Sequence, residues 1–91
     1  MLITHNGLVG IGTGDPDGTL HVETNSAGTV EAWANADDLT VENNGPTGIS
    51  ILAPDNQQAQ IIFGNPVDNI GSILRWKQDE NELQLGTHKT A

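Results

Sequence analysis

Residues 49–85 read ISILAPDNQQAQIIFGNPVDNIGSILRWKQDENELQL, and large apolar residues return in this stretch at steps of twelve. The step is kept by Ile49, Ile61, Ile73 and Leu85, and by the pair Ile51 and Phe63. A strand and a turn repeated at a fixed period are typical of a stacked β-array. We therefore predict an all-β fold, built from short strands in a twelve-residue repeat.

Short alternations of apolar and polar residues occur along the rest of the chain, and turn-forming Asn, Asp, Gly and Pro separate them. The predicted strands are Leu8–Ile11, Thr19–Glu23, Thr29–Trp33, Leu39–Glu42, Gly48–Leu52, Gln60–Phe63, Ser72–Lys77 and Glu82–Leu85. One segment, 30–36, has some helical character, but it is short and uncapped, and a strand or loop is the preferred interpretation.

The composition leaves little material for a hydrophobic core within one chain. Only 35% of the 91 residues are hydrophobic, and cysteine is absent. A domain of this size buries a modest fraction of its surface, and no disulfide can compensate here. If each strand carries its apolar residues on one side only, the hydrophobic face of the sheet stays exposed to solvent. We therefore predict that copies of the chain associate and cover that face.

The charge balance narrows the choice of partners. Three Lys and Arg residues face twelve Asp and Glu residues, which gives a net charge of −9. Such a chain repels nucleic acid and anionic membrane surfaces. No apolar run approaches the roughly 20 residues that span a bilayer. We predict self-association, with no nucleic-acid binding and no membrane insertion.

A compact glycine-rich motif occupies the beginning of the chain. Residues 7–22 read GLVGIGTGDPDGTLHV. This segment resembles the "VGIGT…P…LHV" segment of bacteriophage tail fibres, tailspikes and related bacterial surface proteins. The matching positions are Val9, Gly10, Ile11, Gly12, Thr13, Pro16, Leu20, His21 and Val22. The family usually has Ser, Thr or Asn where Gly14 and Asp15 stand, and Lys where Thr19 stands. Residues 39–86 resemble, more loosely, the stretch that often follows in such fibres.

The resemblance implies a homotrimeric stalk of the virion, an intertwined or side-by-side β-helix or β-prism with neighbouring fibre domains as further partners. Residues 1–91 would form one stalk module, with the glycine-rich motif in 1–23, a connection in 24–36 and the repeat strands in 37–91. A chaperone domain often follows such segments, so we expect a fragment or short component of a fibre. The predicted trimer core consists of Val9, Ile11, Leu20, Val22, Leu39, Val41, Ile49, Ile51, Ile61, Phe63, Ile73, Leu83 and Leu85.

No group of residues predicts an enzyme or a cofactor. The glycines at 7–14 do not form a phosphate loop, because Asp15 stands where a glycine is required and no Lys follows. Residues 15–18, DPDG, are half of a calcium loop at most, because the twelfth position holds Ser26. A tight turn is the preferred interpretation. No nucleophile elbow is present, and no histidine can be matched with a serine and an acid.

The three histidines, His5, His21 and His88, lack the spacing of a metal site, although a three-fold axis could gather three copies of one of them. We interpret them as surface histidines. Trp76 opposes Ile73 in strand parity, so we expect it to face outward or to pack between chains. Stabilising packing is preferred, and contact of Trp76 with a ligand is the alternative. The same fibre module would then bind a host glycan or protein receptor.

Overall fold

The protein is represented by a computed structural model that describes residues 1–87. These residues form seven short strands and one turn of 3₁₀ helix, which confirms the predicted all-β class. The chain divides into two compact units, Met1–Ile49 and a second unit that begins at Ser50. The twelve-residue repeat, the trimer and the single stalk module stay predictions.

The sheet of the first unit contains four strands, which lie in chain order. They are β1 (Leu2–Ile3), β2 (Val9–Ile11), β3 (Leu20–Glu23) and β4 (Leu39–Glu42). β1 runs antiparallel to β2, whereas β2, β3 and β4 are parallel to one another. The sequence analysis missed β1, which is only two residues long.

The register of the parallel strands places apolar side chains on one face of the sheet and polar side chains on the other. Val9 pairs with Leu20, and Leu20 pairs with Leu39. Because side chains alternate along a strand, one face carries all the apolar residues of the three strands. We call this face the apolar stripe: Val9, Ile11, Leu20, Val22, Leu39 and Val41. The opposite face carries Gly10, His21, Glu23, Thr40 and Glu42.

Two predicted strands are wrong. In 29–33, the Val30 N–H donates to the Gly28 carbonyl at 3.0 Å and the Ala32 N–H donates to the Asp17 carboxylate, so the backbone is engaged in the loop rather than in a ladder. The 3₁₀ turn Ala34–Ala36 follows directly. Segment 48–52 also forms no strand. It lies between Pro46 and Pro54, and proline restricts the residue before it and has no N–H to donate.

The second unit is an antiparallel meander of three strands, β5 (Gln58–Phe63), β6 (Ser72–Lys77) and β7 (Glu82–Thr87). The turn into β5 contains Asn56 at φ 70°, and the turn between β6 and β7 contains Asn81 at φ 49°. Asparagine tolerates this left-handed conformation better than most residues. Between β5 and β6, the Asn65 side chain accepts the N–H groups of Val67 and Asp68 at 2.9 and 2.8 Å.

The register of the meander gives it one apolar face. Ile61 pairs with Leu74, and Leu74 pairs with Leu85, while Trp76 lies between Ala59 and Leu83. The apolar face consists of Ala59, Ile61, Phe63, Leu74, Trp76, Leu83 and Leu85, with Ser72 and Thr87 at one end. Paired residues share a face of the sheet.

Ile73 does not lie on this apolar face. It pairs with Ile62, and both side chains belong to the opposite face, which is otherwise polar. The twelve-residue step predicted that Ile61 and Ile73 share a face. That placement is wrong, because the β5–β6 hairpin pairs each odd-numbered residue of β5 with an even-numbered residue of β6. A one-residue difference in register moves a side chain to the other face.

Candidate functional site

The apolar face of the second unit is open to solvent. Among residues 1–87 no hydrophobic side chain is fully buried. Leu83 and Leu85 on β7 are 70% and 80% exposed, and Phe63 on β5 is 57% exposed. Isolated apolar residues are ordinary on protein surfaces, but a contiguous apolar sheet face marks an interaction surface. This face is therefore one candidate functional site.

Trp76 lies in the middle of the apolar face. It is 45% exposed and lines a shallow groove with Ile51, Ala59 and Leu83. Its neighbour Arg75 belongs to the polar face, where its Nε–H donates to the Gln60 side chain at 3.2 Å. The strand register thus puts Trp76 with Ile61 and Leu83 rather than opposite them. Sequence parity, counted from Ile73, did not predict this shared face, whereas the packing of Trp76 between chains stays a prediction.

The predicted trimer-core residues outside the apolar face of the second unit differ in exposure and in the element to which they belong. In the apolar stripe, Ile11 and Leu39 are exposed, whereas Val9, Leu20, Val22 and Val41 are half-buried. Ile49 and Ile51 lie outside the strands and are exposed. Apart from Ile49 and Ile51, the predicted core residues therefore belong to two sheets in two separate units.

The polar face of the first sheet carries a hydrogen-bond network around His21, which is 2% exposed. The Asp17 N–H donates to His21 Nδ1 at 2.9 Å, and His21 Nε2 lies 2.8 Å from Glu42 Oε1. The second oxygen of Glu42 accepts the Ala27 N–H at 2.8 Å. Asp17 in turn accepts the Ala32 N–H through its carboxylate. We call these contacts the His21 network.

The His21 network joins the two loops between the parallel strands of the first unit to the sheet. Asp17 belongs to the loop between β2 and β3, whereas Ala27 and Ala32 belong to the loop between β3 and β4. Parallel strands need such long connections, and these connections leave backbone donors that the ladder cannot use. Side chains of the polar face accept them. The prediction that His21 is a surface histidine is wrong, whereas His5 is exposed and His88 lies outside the described residues.

His21, Glu23 and Glu42 have ligand atoms within 4.8 Å of one another, a spacing that a metal ion could bridge. A neutral imidazole has one N–H donor and one lone-pair acceptor. Nδ1 accepts the Asp17 N–H, so the hydrogen-bond network assigns the proton to Nε2. Nε2 then donates to Glu42 and has no lone pair for a metal. The same protonation leaves His21 unsuited to act as a general base.

The Glu42 carboxylate is held in its charged form. The hydrogen bond from the Ala27 N–H, and next the one from His21, lower the pKa of Glu42 below its usual 4.5, against an opposing effect of burial. Hydrogen bonds that favour the charged form always act in this direction. Glu42 is therefore an acceptor for two donors at neutral pH.

Glycines of the VGIGT motif are explained by contacts within the chain. A Cβ at Gly12 would lie 2.0 Å from the Glu23 carbonyl oxygen, and Gly12 has φ +83°. A Cβ at Gly10 would lie 2.5 Å from the Thr13 carbonyl oxygen and 2.9 Å from Pro16. Loop and strand atoms of the same chain therefore lie against Gly10 and Gly12.

Comparisons with known proteins identify no relative. No protein-family model matches the chain, and neither a curated protein nor a solved structure matches it. Among residues 1–87, no helix is long and apolar enough to cross a membrane.

Proposed function

We propose that the protein is a structural module that assembles with copies of itself, as a homotrimer, in the stalk of a bacteriophage tail fibre or spike. The observation that carries this proposal is the apolar face of the second unit. It has seven apolar side chains on three strands and no charged residue among them. A chain with net charge −9 can meet its own copies on this face without bringing like charges together.

Among residues 1–87 no hydrophobic side chain is fully buried, and this supports assembly. Small domains without disulfides or metals commonly gain stability by oligomerisation. Burying apolar area contributes about 25 cal/mol per Å², so covering a seven-residue face contributes several kcal/mol before the cost of association. The number three and the phage fibre come from the resemblance of residues 7–22 and 39–86 to such fibres.

The proposal is tested with two neighbouring substitutions on β5. Ile61→Asp places a carboxylate on the apolar face, and Gln60→Asp places one on the polar face of the same strand. Both residues are exposed in the single chain, and both variants gain one negative charge. We expect Ile61→Asp to be monomeric in sedimentation velocity, because a buried unpaired carboxylate is costly. Gln60→Asp should sediment as the wild type. Equal assembly of the two variants would contradict the proposal.

Receptor or glycan binding through Trp76 is the second function. The half-exposed indole supports it, because aromatic faces take part in ligand packing. Glycan-array signal lost in Trp76→Ala but kept in Trp33→Ala would favour this function, provided that both variants assemble. Trp33 is the matched control because it is also exposed, in a loop of the first unit. Absence of any wild-type signal would oppose it.

A further inference from the structure

Three turns of the first unit place Asn or Asp directly before Gly: 6–7, 17–18 and 44–45. In such pairs the backbone nitrogen of the glycine can attack the carbonyl carbon of the preceding side chain and close a five-membered succinimide. Glycine favours the reaction because it has no Cβ to hinder the approach. Closure also requires a free nitrogen and a mobile side chain. The structure distinguishes the three pairs on these two requirements.

Two of the pairs are restrained. The Gly7 N–H donates to the Thr4 carbonyl at 3.1 Å, and the Asn6 side-chain oxygen is bonded to the Thr4 hydroxyl. The Asp17 carboxylate accepts the Ala32 N–H, and Gly18 is in close contact with Asp37, because a Cβ there would lie 2.0 Å from the Asp37 carbonyl oxygen. In both pairs at least one of the two reacting groups is engaged elsewhere.

In the pair Asn44-Gly45 the two reacting groups are not engaged, although the Gly45 carbonyl accepts the Thr47 hydroxyl at 2.8 Å. Both residues are exposed in the turn after β4. Within residues 1–87, neither the Gly45 N–H nor the Asn44 side-chain amide makes a hydrogen bond; the Asn44 backbone N–H donates to the Asn43 side chain at 2.9 Å. The space around Gly45 is open, because a Cβ there would meet no atom within 4 Å.

We propose that Asn44 is a site of spontaneous deamidation. The Gly45 nitrogen loses its proton to hydroxide and forms a bond to Cγ of Asn44; the side-chain nitrogen then takes a proton from water, its bond to Cγ breaks, and it leaves as ammonia while hydroxide is regenerated. Water then opens the succinimide at either carbonyl, which gives aspartate or isoaspartate. The net reaction converts one amide and one water into one carboxylic acid and one ammonia, with no change in oxidation state.

The product alters the end of β4. A new carboxylate appears two residues after Glu42, in a unit that contains no Lys or Arg, and the net charge of the chain goes from −9 to −10. Isoaspartate at position 44 also lengthens the backbone by one methylene, two residues after β4 ends at Glu42. Ageing of the protein would thus produce a heterogeneous turn next to the His21 network.

The test uses the full chain, incubated in mildly alkaline buffer and sampled over days. Cleavage after glutamates separates Asn6 from Asn44, because Glu23, Glu31 and Glu42 lie between them. Mass spectrometry follows the conversion of each amide into an acid, and isoaspartyl methyltransferase labels the isoaspartate. We expect Asn44 to convert several-fold faster than Asn6 in the folded chain. In urea the two Asn-Gly pairs should convert at similar rates.

Gly45→Ala is the matched variant, because the open space accepts a methyl group and the fold is retained. It should suppress conversion of Asn44 and leave Asn6 unchanged. Asn6 converting as fast as Asn44 in the folded chain would overturn the proposal. A rate ratio that persists in urea would overturn it as well, since structure would then not be the cause.

Discussion

The two units of this chain are stabilised in different ways. The first unit engages its polar groups within the chain: His21 is buried, Glu42 accepts two donors, and the loops contact glycines of the strands and turns. The second unit forms a regular three-stranded meander, yet it leaves Leu83 and Leu85 largely in solvent. The difference teaches that a regular sheet can leave an apolar face uncovered, while an irregular one can bond buried polar groups within the chain; Thr40 Oγ1, which is buried and has no hydrogen-bond partner, is an exception.

The way in which the strands are connected accounts for the difference between the two units. In the first unit the loops add hydrogen bonds to the parallel strands: the Asp17 and Ala27 N–H groups donate to His21 and Glu42. In the second unit the three strands pair with one another through hairpins. The connections between them supply no layer that covers the sheet. A sheet with one hydrophobic face must bury it against another element. For the second unit we propose that other copies of the chain supply that element.

The largest expected effect concerns the close backbone contacts of the first unit. Gly12→Ala should lower the free energy of unfolding by about 3 kcal/mol or more, because its Cβ would overlap the Glu23 carbonyl and its φ of +83° is strained for alanine. Thermal unfolding followed by circular dichroism measures the loss. Gly14→Ala is the control, with nothing within 4 Å of its Cβ, and should stay within about 0.5 kcal/mol of wild type.

If the two variants were equally stable, the contact of Gly12 with Glu23 would not stabilise the unit. The claim that contacts within the chain stabilise the first unit, in contrast to a second unit proposed to need a partner, would then be contradicted.

The next effect concerns the buried imidazole. His21→Ala leaves the Asp17 N–H and the Glu42 carboxylate without their partner, and we expect a loss of about 2–3 kcal/mol in unfolding free energy. His5→Ala, at an exposed histidine of the same unit, should change it by less than about 0.5 kcal/mol. Urea titration at fixed protein concentration measures both. A His21 variant as stable as the His5 variant would contradict the bracing role of the network.

The smallest effect is a pH dependence of the first unit. Because folding lowers the pKa of Glu42 from 4.5, its contribution to stability is complete above pH 4.5 and is lost as the pH falls through the folded-state pKa. The stability difference between wild type and Glu42→Gln should therefore shrink in acid. Unfolding temperatures measured on both proteins across this range test the sign. A difference that grows on acidification would contradict it.

The positions of most strands could be predicted, because apolar and polar residues alternate even in short strands. Four-residue strands such as 20–23 and 39–42 carry their apolar residues at every second place, and both are found. Segment 29–33 alternates weakly too, but its N–H groups bond to Gly28 and Asp17. Local periodicity contains no information about which distant acceptor a backbone donor finds, so this strand was predicted wrongly.

The His21 network could have been found from one signal. The strands LHVE and LTVE, at 20–23 and 39–42, share their pattern, and in-register parallel pairing puts Glu23 beside Glu42 and His21 beside Thr40. What no pattern predicts is the loop conformation that brings the Asp17 and Ala27 N–H groups to these side chains. Similarly, the position of Trp76 on the apolar face follows from hairpin register, which the twelve-residue step does not encode.

The central claim is that the apolar face of the second unit is completed by copies of the chain. The most direct test is the molar mass of the purified protein, by light scattering after size exclusion at several concentrations. We predict a stable mass of three chains, with the second unit retaining its β signal in circular dichroism. A folded monomer at every concentration would contradict the account, because the exposed Ile61, Leu83 and Leu85 would then need no partner.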